Sequence, residues 1–248
     1  MAIRLDVTPS SRRMPWPSLM RGLRKCGIAT AVAMAAVPSC GVDITYSADP
    51  ITAWVVDKDT GAPIQGVNVV AAWELKGGLE GGNIMGYVMV MEAVTDTSGK
   101  FSFPGWGPKR HRGSGIIRSG APKLIFFKSG YYSGAEANSN LTEAAPKHMH
   151  SDWDGKNVPL PRFNGSLKEY ADTFSFLDIQ IDALLSTKEC NWRAIPKFLW
   201  ALDQQVRLFN AGDATRWRIP TLTSLDESYG RRNPDCTGLK QYVEEHGR

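Results

Sequence analysis

Residues 148–154 read His-Met-His-Ser-Asp-Trp-Asp and set His148, His150, Asp152 and Asp154 at alternate positions. Along an extended chain successive side chains point to opposite sides, so alternation would aim all four the same way. Two imidazoles with carboxylate oxygens suit zinc or nickel. The same stretch also reads as a polar linker, with Asp154-Gly155 turning the chain toward Val158. Other chemistry is not spelled out. None of His111, His148, His150 or His246 has a Glu at the offset of an H-E-x-x-H or H-x-x-E zinc-peptidase motif, and the chain has no G-x-S-x-G elbow, Walker loop or G-x-G-x-x-G. The expectation is a chain without catalytic residues or cofactor. The alternative is a metal-binding protein or metal-dependent enzyme centred on the four residues of 148–154.

The elements that must position such a cluster are strands. Ile51 to Val70 places Ile-Thr-Ala-Trp-Val-Val and Val-Asn-Val-Val on either side of an Asp57-Lys-Asp-Thr-Gly61 cluster, and Ala93 to Phe103 repeats the pattern around Asp96-Thr-Ser-Gly99. Strand, tight turn and returning strand is the signature of a hairpin. Gly61 supplies the positive φ that the first turn needs, and Pro63 presets the chain beyond it. Val67 and Val69, then Phe101 and Phe103, alternate with polar residues and load an inner face. Leu124 to Tyr131 adds a nearly continuous apolar strand ending at Gly130. Lys76 to Gly82 reads as a glycine-rich hairpin loop, and Gly105 to Pro122 as a basic, solvated loop.

Three motifs in this order are Val56-Asp57 with Thr60-Gly-Ala-Pro-Ile64 and Gly66-Val67, then Thr95-Asp96 with Gly99-Lys-Phe101, then Phe127-Lys-Ser-Gly-Tyr131. Together they resemble the carboxypeptidase regulatory-like domain, a small transthyretin-like β-sandwich, over about residues 50 to 160. The family usually has a Gly near Ala53, which this chain lacks. The resemblance implies a non-catalytic module in a secreted or envelope protein, and location more than chemistry.

At Ser166 the period changes. Leu167, Tyr170, Phe174, Leu177, Ile181 and Leu184 recur at three-and-four spacing, and Ser166-Leu-Lys-Glu169 is a capping box, so a helix is expected there. Ile195, Phe198, Leu199, Leu202, Val206 and Phe209 form a second helical stripe, with Pro196 in its first turn and Gly212 beyond its end. The two helices are expected to pack as a hairpin, with a short last helix at Leu239, Tyr242 and Val243. The expected fold class is mainly β with an α-helical C-terminal region, a transthyretin-like β-sandwich followed by a helical hairpin.

The N-terminus carries an export pattern. A cationic segment, Arg21 to Lys25, precedes an apolar run from Cys26 to Val37 that is too short to span a bilayer. Val37-Pro-Ser-Cys40 resembles a lipobox, which would make Cys40 the acylated N-terminus, while cleavage after Ala33-Met-Ala35 would release a soluble protein. The expected organisation is a signal peptide with a leader extension at 1–39, a tether at 40–47, the sandwich at 48–160 and the helical region at 161–248. The first 39 residues hold six of 29 basic residues and one of 25 acidic ones, so the remainder is 23 against 24, a net charge of −1. That balance gives no reason to expect nucleic acid as a partner. The expected partners are a membrane, through the lipid anchor, and an envelope protein or glycan. Cys190 and Cys236 remain as an even pair for an oxidising compartment, as a disulfide or as two buried thiols.

The lipobox reading predicts that intact-mass analysis of membrane-fraction protein shows an acylated N-terminus at Cys40, and that Cys40→Ala impairs processing or releases a soluble form. An unmodified N-terminus at Ala36 would contradict it.

Overall fold

The computed structural model describes residues 43–77, 82–139, 146–185, 189–212 and 220–248. The export pattern, Cys40 and residues 78–81 of the glycine-rich loop lie outside them. The strands are β1 (Asp43–Ala48), β2 (Ile51–Asp57), β3 (Asn68–Gly77), β4 (Asn83–Val94), β5 (Lys100–Phe103), β6 (Trp106–Arg112), β7 (Ile116–Ile117), β8 (Lys123–Phe127), β9 (Gly134–Glu136), β10 (His148–Met149) and β11 (Asn157–Leu160). The helices are α1 (Leu167–Asp172), α2 (Phe174–Leu185), α3 (Pro196–Ala211), α4 (Leu222–Arg232) and α5 (Leu239–His246). The protein is thus mostly β-sheet with a helical C-terminal region.

The strands form a five-stranded sheet, ordered β4-β3-β8-β9 with β7 beside β3, and two three-stranded sheets, β10-β1-β6 and β11-β2-β5. Alternation along β3 explains the layering. Val69, Ala71, Trp73 and Leu75 point into one core with Tyr46, Ile51, Val55, Phe101 and Trp106 of the smaller sheets. Val70 and Ala72 point the other way, into a second core with Phe174, Leu177, Phe198 and Phe209 of the helices. Neighbouring β8 divides likewise, Leu124 and Phe126 to the first core, Ile125 and Phe127 to the second. Edge-to-face rings close both interfaces: Trp73 on Trp106 at 5.3 Å and Phe127 on Phe174 at 5.7 Å. A strand buried on both faces reads as a continuous apolar run, as Val69 to Trp73 does.

Helix ends are tied to the sheet. The capping box at Ser166 is present, the Glu169 amide donating to Ser166 Oγ and the Ser166 amide to Glu169 Oε2. Tyr170 Oη accepts from the Gly130 amide and donates to the Tyr131 carbonyl, fixing α1 on the turn after β8. α3 has no side-chain cap of its own. Glu92 of β4 supplies one, its two carboxylate oxygens accepting from the Lys197 and Phe198 amides at 3.1 and 3.0 Å, groups that a helix start otherwise leaves unsatisfied. A disulfide joins Cys190 to Cys236, whose Cα atoms stand 5.2 Å apart, and pins the start of α5 near the approach to α3.

Several expectations change. β2 pairs with β5 and β11, whereas β3 pairs with β4, β7 and β8, so the turn chemistry at 57–61 and 96–99 leads on into a strand of a different sheet; at the first turn the chain does fold back locally, Val56 bridging antiparallel to Pro63, before it crosses. The reason is visible in the connections: Ile64 and Val67 are buried, which draws the chain across the edge of the core. Thr95 stitches the two crossings, its Oγ1 accepting from the Val67 amide and donating to the Ile64 carbonyl. Gly99, at φ 74°, lies so close to β2 that a Cβ would sit 2.5 Å from the Val55 carbonyl oxygen.

The tether expected at 40–47 is strand β1 from Asp43 onward, because Tyr46 and Ala48 reach the core, and the basic loop after Gly105 contains β6, its partner. Thr173 divides the first helical stripe into α1 and α2, and Leu167 is exposed. Instead of a two-helix hairpin, α3 packs most extensively on α5 and meets α2 where Phe209 contacts Phe174 at 4.8 Å. α4 was not expected, since Leu222-Thr-Ser-Leu-Asp carries little apolar pattern.

Asp57 closes the end of β2. Its carboxylate accepts from the Asp59 and Thr60 amides, from Tyr131 Oη and from Arg162. Burial opposes ionisation, but the Thr60 and Asp59 amides and Arg162 together hold the carboxyl below the usual carboxylate range. A depressed carboxylate stabilises the fold above its unfolded pKa and loses that contribution as pH falls through the native value. Asp57→Asn should therefore lower the melting temperature by several degrees at pH 7 and by clearly less at pH 3, measured by circular dichroism against the parent protein. An equal loss at both pH values would contradict this.

Candidate functional site

The surface rim beside β10 gathers the side chains with most scope for chemistry. β10 pairs in parallel with β1, Ser47 opposite His148 and Ala48 opposite Met149. The Ser47 amide donates to the Lys147 carbonyl and the Asp49 amide to the Met149 carbonyl, at 2.9 and 3.0 Å. Met149 is buried, so alternation turns its neighbours His148 and His150 outward together. Across from them the chain passes from β1 to β2 through Asp49 and Pro50.

Asp49 lies between the two imidazoles. Its Oδ1 is 2.8 Å from His148 Nε2 and its Oδ2 is 2.5 Å from His150 Nδ1, with the two rings 4.9 Å apart. The second nitrogen of His148, Nδ1, is 2.7 Å from Ser47 Oγ. All three side chains of the cluster are well exposed, His150 most at 73%. The hydrogen bond with His148 is the largest influence on Asp49, and with that from His150 it outweighs partial desolvation, so the carboxyl sits below its usual range. A small open cleft of about 150 Å³ adjoins the two histidines, walled by Ser119, Ala121, Asn138, Pro146, Met149 and Asp152.

The structure brings together two of the four ligands expected from 148–154. The extended path ends at Met149, and residues 152–155 form a turn that takes both acids out of the Asp49 group, although Asp152 still lines the cleft beside the histidines. Asp152 accepts from the amide and hydroxyl of Ser139, each at 2.7 Å. Asp154 accepts from the Thr52 amide at 2.7 Å and so fastens the turn to β2. The carboxylate that does join the histidines, Asp49, lies 99 residues before His148 in sequence. An Asp before a Pro at a strand end gives no sign of that partnership, and neither does Ser47.

Asn138 holds the rim from behind. Buried, it donates to the carbonyls of Ala121 and His150 at 2.8 and 2.7 Å and accepts from the Asp152 amide at 2.9 Å.

No family model matches the chain, and no curated protein does. Among solved structures, it is similar to 3-chlorocatechol 1,2-dioxygenase from Rhodococcus opacus 1CP, at 15% identity over 50% of this chain and 61% of that one, with a TM-score of 0.26. It is also similar to the dioxygenase domain of a dioxygenase and carbohydrate-binding fusion from Streptomyces sp. SirexAA-E, at 12% identity over 52% of this chain and 84% of that one, TM-score 0.23. A 9R-lipoxygenase from Cyanothece PCC8801 matches at 10% identity over 77% of this chain and 28% of that one, TM-score 0.25. The chain spans about three fifths of the first of these, and at such TM-scores the likenesses carry no argument about fold or activity.

Replacing Asn138 with Ala leaves the buried Ala121 carbonyl and the part-buried His150 carbonyl and Asp152 amide without this partner, a loss of about 1–3 kcal/mol. Urea unfolding should show a lower midpoint with an unchanged slope. A variant as stable as the parent would contradict the role given to Asn138.

Proposed function

We propose that this chain is an exported, non-catalytic binding module of the cell envelope, lipid-anchored at Cys40, with its binding site at the rim of Asp49, His148 and His150. Its scaffold is a transthyretin-like sandwich of the kind found in the carboxypeptidase regulatory-like domains it resembles, covered on one face by helices. The observation that carries the reading is the rim itself, where polar side chains from separate segments converge at an exposed surface beside a cleft. Ser47, His148 and Asp49 also stand in the order hydroxyl, imidazole, carboxylate, as in a hydrolase. Acyl transfer further requires donors converging on an oxyanion. The amides of Ser47 and Asp49 are already spent on the Lys147 and Met149 carbonyls, which favours binding over catalysis.

The Cys190–Cys236 disulfide supports export, since such bonds persist in oxidising compartments. Fractionation of the native host should find the chain in the envelope, with peptide mapping showing Cys190 linked to Cys236. The double variant Cys190→Ser, Cys236→Ser should lose about 2–5 kcal/mol of stability. Cytosolic protein with free thiols at both positions would overturn the reading.

A further inference from the structure

We propose that Asp49, His148 and His150 together bind one divalent transition-metal ion of the zinc class, through His148 Nε2, His150 Nδ1 and a carboxylate oxygen of Asp49. This rests on the rim being the binding site, and it names the ligand.

Three observations carry it. First, the three ligating atoms lie within 4.8 Å of one another, although they come from two segments about a hundred residues apart. At zinc bond lengths of about 2.0–2.1 Å, two ligands of a tetrahedral ion stand roughly 3.3 Å apart. The observed N to O spacings are 2.8 and 2.5 Å. Each imidazole therefore needs to withdraw by less than about 1 Å from its own Asp49 oxygen, Oδ1 for His148 and Oδ2 for His150, and the widest donor pair, within 4.8 Å, needs to close by up to about 1.5 Å to admit the ion. All three side chains are exposed, so that movement disturbs no core packing.

Second, the backbone beneath them is fixed. The parallel pairing of β10 with β1, the buried Met149 and the Asn138 bond to the His150 carbonyl set where both histidines emerge. Third, the other ring nitrogen of His148 already has a hydrogen-bond partner, as that of a metal-bound imidazole does, here a hydroxyl. With Nε2 on the ion, Nδ1 carries the hydrogen and donates a hydrogen bond to Ser47 Oγ; in the tautomer with the hydrogen on Nε2, facing Asp49, the Ser47 hydroxyl donates to Nδ1 instead. One hydroxyl thus serves both states. Two imidazoles and one carboxylate are ligands suited to zinc, nickel or cobalt, and three protein ligands leave a position open to water or a small ligand on the exposed side.

The test uses tag-free mature protein, stripped with chelator, dialysed against Zn(II) and measured by plasma mass spectrometry, with Co(II) absorption reporting coordination. One equivalent per chain is expected, together with a melting temperature raised by the metal. Ser47→Ala should weaken binding by roughly 10–100-fold, as loss of an outer partner does. Asp49→Ala, His148→Ala and His150→Ala should each weaken it more than that, while their metal-free melting temperatures stay near the parent's. Asp152→Asn should bind as the parent does.

Absence of stoichiometric zinc, or binding that survives the three ligand variants, would overturn the proposal. So would fluorophosphonate labelling of Ser47 that is lost in His148→Ala, since that would make the rim a hydrolase site. Export is read in cells and metal binding on purified protein, so either can fail without the other.

Discussion

The double-sided burial of β3 is the constraint on which the rest depends. A strand that sends Val69, Ala71 and Trp73 into one core and Val70 and Ala72 into another must be covered on both faces before either core is dry. Each large side chain buried in this way contributes about 1.5–3 kcal/mol relative to exposure. The sheets and the helices therefore support one another, and they belong to one compact unit. Glu92 and Tyr170 reinforce the join by satisfying polar groups where helix meets sheet.

The rim follows from the smaller sheets that this core holds in place. Tyr46 is fully buried and its hydroxyl accepts from the Ile117 amide, which locks β1 against the five-stranded sheet. β1 in turn templates β10, and the corner after β1 delivers Asp49 to the histidines. The polar residues nearby divide by use. Asn138, Asp152 and Asp154 are committed to backbone groups or to Ser139, whereas Asp49, His148 and His150 bond side chain to side chain at the surface. A cation can replace the second kind of contact without leaving backbone amides unsatisfied.

Local signals in the sequence carried over well where the physics is local. The Ser166 capping box, the buried stripe from Tyr170 to Leu184, and Phe101 and Phe103 facing inward all stand as expected. Strand pairing did not, because turn residues state that the chain reverses and not which sheet receives it. Only the burial of Ile64 and Val67, a tertiary fact, distinguishes a crossing from a hairpin. The site was half legible for the same reason. Alternation correctly put His148 and His150 on one side, but the turn at 152–155 broke it for the two acids, and Asp49 joins through a parallel pairing that no spacing encodes.

Native-state hydrogen exchange tests the dependence on β3 most directly, because it resolves the opening free energy of each segment. The account predicts that amides of β3 and β8 are the slowest to exchange and that those in the middle of α2 and α3 open with the same free energy, in one cooperative step. Helices that exchange through a separate, lower-energy opening while β3 and β8 stay protected would contradict it.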